Sequence, residues 1–206
     1  MEQKIRMDPK TRSKQERGDS GRVADIVSAD PTGSVLRKRE RLRRRYRPNH
    51  VRILFVGEAP PASGRFFYQG DSGLYRAVRD TFLAAFPSLL TGEFLEEFRS
   101  LGCYLVDLCG EPVDHLARSA RMSICGAGEV RLARTIRALR PTAIVTLVRS
   151  IRASVGRAQR MAYWTGLHLE LPYPGRWKDH RVEFQRQLAP ILLKTLSTDS
   201  RVRGCN

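Results

Sequence analysis

Two carboxylates and a group of aromatic rings stand where apolar runs of the sequence give way to loops. Glu58 directly follows the apolar run of residues 51–57, and Asp107 closes the apolar stretch that begins at residue 103. Three aromatic residues come soon after Glu58: Phe66, Phe67 and Tyr68. A carboxylate can polarise a water molecule and an aromatic ring can stack on a planar ring, so these residue types favour a site for a flat ligand. The alternative for Glu58 alone is a carboxylate that braces its loop or caps a helix.

Near the end of the chain, residues 172–177 (PYPGRW) place two aromatic rings and a cation among prolines. Tyr173 can donate a hydrogen bond from its hydroxyl but cannot become a cation, and Arg176 could supply that charge. Arg149 and Arg152 lie at the predicted start of a helix. We expect them to contact phosphates, with a solvated helix face as the alternative.

Short apolar runs predict four strands, and apolar residues at helical spacing predict the helices between them. The strands are expected at residues 51–57, 103–109, 142–148 and 167–171. The helices are expected at residues 73–86, 91–100, 128–140, 149–161 and 178–196, with a loop over 109–123. Alternating strands and helices predict an α/β fold, a three-layer α/β/α sandwich with a mainly parallel sheet of about four strands.

In an open parallel sheet, ligands bind beyond the carboxyl ends of the strands. The loops at that edge are those after Val56, Leu108, Val148 and Leu171. We therefore expect the residues that could do chemistry to meet in one crevice at that edge. Of the three aromatic residues after Glu58, we expect either Phe67 or Tyr68 to be exposed there for stacking, while the others pack under the loop.

The charge of the chain indicates a polyanionic partner. Its 206 residues contain 37 Lys and Arg against 21 Asp and Glu, a formal net charge of +16. Nucleic acid is the expected partner ahead of an acidic membrane surface. Residues 1–34 are predicted to be a disordered polar tail, 35–50 a basic arm, 51–197 the folded domain and 198–206 a second tail. The arm either binds nucleic acid electrostatically or is simply solvated.

Four cysteines, at positions 103, 109, 125 and 205, form no CxxC pair and no regular framework. A disulfide scaffold, a thiolate zinc site and an iron–sulfur cluster are therefore not expected. The first 20 residues lack an apolar core of signal-peptide length, and no segment reaches the roughly 18 apolar residues of a membrane span. We expect a cytoplasmic protein, associated with the nucleoid in a prokaryote, that binds no metal, cofactor or membrane.

The order of these motifs resembles the uracil-DNA glycosylase superfamily. GEAP (residues 57–60), followed by FFYQGDSGLYRAV (66–78), resembles that family's water-activating loop and the base-stacking aromatic after it. YLVD (104–107) lies where the family has a strand ending in a pyrimidine-recognising Asn. PYPG (172–175) lies where the family has a His-containing loop that presses into the minor groove. The resemblance spans residues 51–196, nearly the whole predicted domain.

The resemblance implies a role for each residue of these motifs. The implied catalytic residues are Glu58 and Tyr173. The residues implied to contact the base are Gly57, Ala59, Phe67, Tyr68 and Asp107. Those implied to contact DNA are Pro60, Pro174, Gly175 and Arg176, in addition to the two helix arginines above. The resemblance also implies a monomer that uses neither a metal nor another cofactor.

Two departures from the family pattern bear on the substrate. Asp107 stands where the family has Asn, and Tyr173 where it has His. An ionised Asp only accepts hydrogen bonds and would repel a carbonyl oxygen such as those of uracil. The substrate therefore cannot be assumed to be uracil. Asp107 would prefer base edges with N–H donors, or be protonated itself, or serve as a second catalytic carboxylate.

The predicted function is a DNA glycosylase that flips a damaged or mismatched base and releases it by hydrolysis. The first alternative is a nucleic-acid-binding protein of the same fold whose chemistry is lost or altered. The second is an α/β hydrolase that acts on nucleosides or nucleotides.

Overall fold

Four short parallel strands form the centre of the fold. The computed structural model describes residues 31–87, 93–175 and 177–196. The strands are β1 (Ile53–Gly57), β2 (Cys103–Asp107), β3 (Ala143–Thr146) and β4 (Leu167–Glu170). They lie in the order β2-β1-β3-β4, so β2 and β4 are the edge strands. The expected three-layer α/β/α sandwich with a parallel sheet is confirmed.

Six helices accompany this sheet within the described residues. They are α1 (Pro31–Arg45), α2 (Gly73–Ala85), α3 (Phe94–Ser100), α4 (Arg118–Leu139), α5 (Arg152–Met161) and α6 (Lys178–Leu196). Every residue of β1 and β3 is buried, as expected for central parallel strands that carry helices on both faces. Helix α2 packs against α6, and α4 packs against α5.

Helix α6 has the bounds that the sequence predicts, although it contains Pro190. Its buried side chains Phe184, Leu188 and Leu192 repeat every four residues and form one apolar stripe. The proline removes one intrahelical hydrogen bond. The buried stripe continues on both sides of Pro190, so tertiary packing maintains the helix through that position.

The basic arm differs from the expectation. Residues 31–34, assigned to the disordered tail, and most of the arm form the single helix α1. Arg39 and Tyr46 are buried, and Leu42 and Arg43 are partly buried, so one side of this segment packs on the sheet domain. The spacing of these four residues is helical, but two of them are arginines, and an apolar pattern was therefore not visible in the sequence.

Two other helix boundaries also differ. Helix α4 begins at Arg118, inside the segment expected to be a loop over residues 109–123. Helix α3 begins at Phe94 with Glu93 as its N-cap, while the expected cap at Thr91 lies outside the described residues. In the part of the chain that the structure describes, no helix is long and apolar enough to cross a membrane.

Helix α4 approaches the end of β2 closely at a glycine. A Cβ atom on Gly128 would lie 2.1 Å from the Leu108 carbonyl oxygen, whereas one on Gly126 would meet nothing closer than 3.9 Å. Only a residue without a side chain fits at Gly128. This close approach sets the distance between α4 and the loop that follows Asp107.

We expect Gly128→Ala to lower the free energy of unfolding by about 1–3 kcal/mol, because the backbone of one element must move. Gly126→Ala, the matched control in the same helix, should raise it by up to about 1 kcal/mol through helix propensity. Urea denaturation of the three proteins measures both changes. Equal effects of the two substitutions would contradict the close approach.

Candidate active site

One cavity of about 400 Å³ opens at the carboxyl edge of the sheet. Its walls come from the loops after β1 and β2, the end of β3, the start of α4 and the loop after β4. The cavity brings together seven of the predicted site residues: Gly57, Glu58, Ala59, Pro60, Phe67, Asp107 and Tyr173. Residues far apart in the sequence thus line one concave surface.

Glu58 is held at this cavity by an ion pair with Arg121. The guanidinium Nη2 of Arg121, in the first turns of α4, donates to Oε2 of Glu58. The backbone of Glu58 is held as well, because its carbonyl accepts a hydrogen bond from Cys109 N (2.8 Å). Arg121 itself lines the cavity. The sequence does not reveal this partner, because residue 121 falls in the segment expected to be a loop and lies instead on helix α4.

Asp107 is held by a second ion pair, from helix α1. Arg43 Nη2 donates to Asp107 Oδ2 at 2.8 Å, and the Asp107 side chain is only 7% exposed. Burial raises the pKa of Asp107, and the positive charge of Arg43 offsets part of that rise. The contact with Arg43 stabilises the ionised carboxylate, which accepts hydrogen bonds and donates none.

The second oxygen of Asp107 faces the backbone of β1. Gly57 and Asp107 are partners in the sheet register, and a Cβ atom on Gly57 would lie 2.7 Å from Asp107 Oδ1. A side chain at position 57 would displace the carboxylate. No residue that the structure describes donates a hydrogen bond to Oδ1, and both Asp107 and Gly57 line the cavity.

The expectation that Phe67 or Tyr68 is the exposed stacking ring is wrong. Phe66, Phe67 and Tyr68 are 1%, 3% and 1% exposed. The Phe67 ring packs edge-on against Tyr68 and Tyr75, with centroids 5.2 and 5.9 Å apart. Phe66 and Phe67 still line the cavity wall, but Tyr68 does not. The rings are covered from two sides, because Tyr46, just beyond α1, stacks on Tyr68, while Phe67 packs on Tyr75 of α2 and Phe98 of α3.

Tyr68 instead supports the outer edge of the sheet. Its hydroxyl donates to the Leu105 carbonyl (3.0 Å) and accepts from the Leu105 N–H (2.7 Å). Tyr46 stacks on its ring, with centroids 5.6 Å apart and planes 7° apart. Burial raises the pKa of Tyr68 well above its usual value, so the hydroxyl keeps its proton. Tyr68 satisfies backbone groups of edge strand β2 rather than contacting a ligand.

Tyr173 lies at the cavity and is 45% exposed. Partial burial raises its pKa, which keeps its hydroxyl protonated and able to donate. Gly175 allows this position, because a Cβ atom there would lie 2.1 Å from the Tyr173 ring. The neighbouring residue Pro174 is buried and does not line the cavity.

Arg149 and Arg152, two of the remaining predicted DNA contacts, do not line the cavity. Arg149 and Arg152 are exposed where the chain leaves β3 and enters α5. Arg176 lies outside the described residues. Among the residues that the structure does describe, no three His, Cys, Asp or Glu side chains form a group that could hold a metal ion.

No model of a known protein family matches the chain, and no curated protein matches it either.

We expect Tyr68→Phe to lower the free energy of unfolding by about 2 kcal/mol, because the buried N–H and carbonyl of Leu105 lose their partner. Tyr163→Phe is the matched control, since Tyr163 is 89% exposed. Chemical denaturation measures both variants. A Tyr68→Phe protein as stable as the control would contradict the bridging role.

Proposed function

We propose that the protein is a DNA glycosylase of the uracil-DNA glycosylase superfamily, which flips a damaged or mismatched base into the cavity and hydrolyses its N-glycosidic bond. The observation that carries the proposal is the cavity itself, in which three carboxylates (Glu58, Asp107 and Asp114) and an aromatic wall meet at the carboxyl edge of the sheet. Its volume of about 400 Å³ lies in the range of roughly 300–1,000 Å³ typical of small-molecule sites.

The residues of the cavity fit the requirements of this reaction. A flipped base leaves the stack at a cost of a few kcal/mol, which contacts in the pocket must offset. Phe66 and Phe67 provide an apolar wall for the base. Glu58 is the carboxylate that orients water and stabilises the developing positive charge on the sugar. The protonated hydroxyl of Tyr173 can donate a hydrogen bond to the departing base.

The charge of the protein supports a nucleic-acid substrate. Helix α1 exposes a set of basic side chains next to the domain: Arg37, Lys38, Arg41, Arg44 and Arg45. Glu40 is the one acidic residue of this helix. Such a surface attracts a phosphate backbone and makes binding sensitive to salt.

A second candidate function, nucleic-acid binding without catalysis, is favoured by one contact. Arg121 occupies one oxygen of Glu58, the proposed water-orienting group. A carboxylate that stays paired cannot also accept the proton of a water molecule through that oxygen. The two candidates differ in whether Glu58 is needed for base release.

The protein is incubated with oligonucleotides that contain uracil, hypoxanthine, xanthine or a mismatch, and the products are treated with alkali. We expect strand nicking at one of these bases. Glu58→Gln should slow this release at least about a hundredfold, as removal of a general base does. Glu183→Gln is the control, because it makes the same change in a surface ion pair, with Arg186. It should leave the rate unchanged.

Two other outcomes separate the alternatives. Retention of DNA in a gel shift without release of any base would replace the glycosylase with the binding protein. Release from free nucleosides but not from DNA would favour the nucleoside hydrolase.

The ion pair with Arg43 also bears on which base is released. Arg43 holds one oxygen of Asp107, so the other oxygen accepts a hydrogen bond from the ligand. This geometry supports the first of the three roles considered for Asp107, in which it prefers a base edge with N–H donors. In Asp107→Asn, the amide oxygen would face Arg43 and the amide N–H would face the cavity.

We therefore expect Asp107→Asn to raise release of uracil relative to bases with an amino group at that edge, by about tenfold or more. The ratio of kcat/KM for the two classes of base, measured on matched oligonucleotides, checks this. An unchanged ratio would count against a recognition role for Asp107.

A further inference from the structure

Helix α1 buries an arginine that has no acidic partner. Arg39 is only 6% exposed. Its Nη2 donates to the Pro61 carbonyl at 3.3 Å, while its buried Nε has no hydrogen-bond acceptor among the described residues. No carboxylate in the described part of the chain forms an ion pair with it. One turn later, Arg43 pairs with both Asp107 and Glu40.

A buried charge without a partner is costly. Arginine is almost never buried unless it is paired, and an uncompensated charge in a protein interior destabilises the fold. A single weak hydrogen bond to a carbonyl does not offset that cost. Such a side chain is well suited to bind an anion, because its position is fixed and little rotamer entropy is lost on binding.

The position of Arg39 indicates which anion. Pro61, whose carbonyl accepts from Arg39, also lines the cavity. The charge of Arg39 acts on Asp107, where it lowers the pKa of that carboxyl. Arg39 does not itself line the cavity but lies directly behind its wall at Pro61. A base that enters the cavity as part of a nucleotide brings its sugar and phosphate to the mouth.

We propose that Arg39 binds the phosphate group attached to the nucleotide whose base occupies the cavity. This inference rests on the proposed function, because it assumes that a nucleotide base is the ligand of the cavity. The guanidinium presents planar N–H donors to the phosphate oxygens, the geometry in which arginine binds phosphate most strongly.

This role differs from that of the other basic residues of α1. Arg37, Lys38 and Arg41 are exposed and attract a polyanion without fixing its position. Arg39 is buried and anchored on Pro61, so it contacts one particular phosphate. Replacing Arg39 should therefore remove a contact at one position of the strand, whereas replacing Arg41 should weaken binding slightly and uniformly.

The experiment measures fluorescence anisotropy of labelled oligonucleotides that contain the released base, over a series of salt concentrations. Arg39→Met is compared with Arg41→Met, the matched control on the same helix. We expect Arg39→Met to weaken binding about tenfold or more, and to reduce the slope of log affinity against log salt by about 0.7–0.9. Arg39→Lys, which keeps the charge, should restore part of the affinity, and thermal unfolding confirms that each variant is folded.

A neutral methylphosphonate placed at single linkages locates the phosphate. In the unmodified protein, one linkage next to the flipped nucleotide should weaken binding as much as Arg39→Met does. In Arg39→Met, the same linkage should have no further effect, since the two changes remove one contact. Equal affinities of Arg39→Met and Arg41→Met, or additive losses at every linkage, would overturn the proposal.

Binding of nucleoside 5′-monophosphates distinguishes the two sources of the phosphate and the two proposals. Mononucleotide binding that depends on Arg39, without oligonucleotide binding, would support the phosphate site and overturn the DNA glycosylase. If the protein cleaves oligonucleotides, but Arg39→Met changes neither its affinity for them nor the salt dependence of that affinity, the phosphate site is overturned. The glycosylase proposal then still holds. Binding of neither ligand would overturn both.

Discussion

The ion pair between Arg43 and Asp107 is the contact on which the arrangement of the site depends. It joins helix α1 to the carboxyl end of β2 and holds a carboxylate against Gly57 of the neighbouring strand. Breaking a buried pair by removing one partner typically costs about 3–5 kcal/mol, because the other charge is left in the interior. Helix α1 is therefore part of the structure that forms the site, although it precedes the sheet domain in sequence.

The same helix also completes the edge of the sheet. Strand β2 has a neighbour on one side only, and Tyr68 satisfies the backbone of Leu105 on the other. Tyr46, just beyond α1, stacks on Tyr68 and covers it. One set of contacts thus protects an edge strand from pairing with another chain and keeps the end of that strand, Asp107, in place.

The sequence predicted the central strands β1 and β3 well because they are buried on both faces and appear as plain apolar runs, as in residues 51–57. It predicted helix α6 because apolar residues repeat along it at helical spacing. It did not identify Arg39, Arg43 or Arg121, because in a chain with 37 basic residues charge alone does not show which arginine is buried. It misplaced the exposed ring after Glu58 because both rings are covered by residues elsewhere in the chain: Tyr68 by Tyr46, and Phe67 by Tyr75 and Phe98.

Glu58 and Asp107, two of the three carboxylates that line the cavity, are both paired with arginine, but their surroundings differ. The side chains of Asp107 and Arg43 are 7% and 19% exposed, and those of Glu58 and Arg121 are 17% and 33% exposed. Water and an incoming ligand reach the Glu58–Arg121 pair more readily than the Asp107–Arg43 pair, whose carboxylate is more deeply buried. In the proposed reaction, Glu58 would therefore exchange Arg121 for a water molecule more readily than Asp107 would give up Arg43. This difference in burial fits the proposed water-orienting role of Glu58 and the proposed recognition role of Asp107.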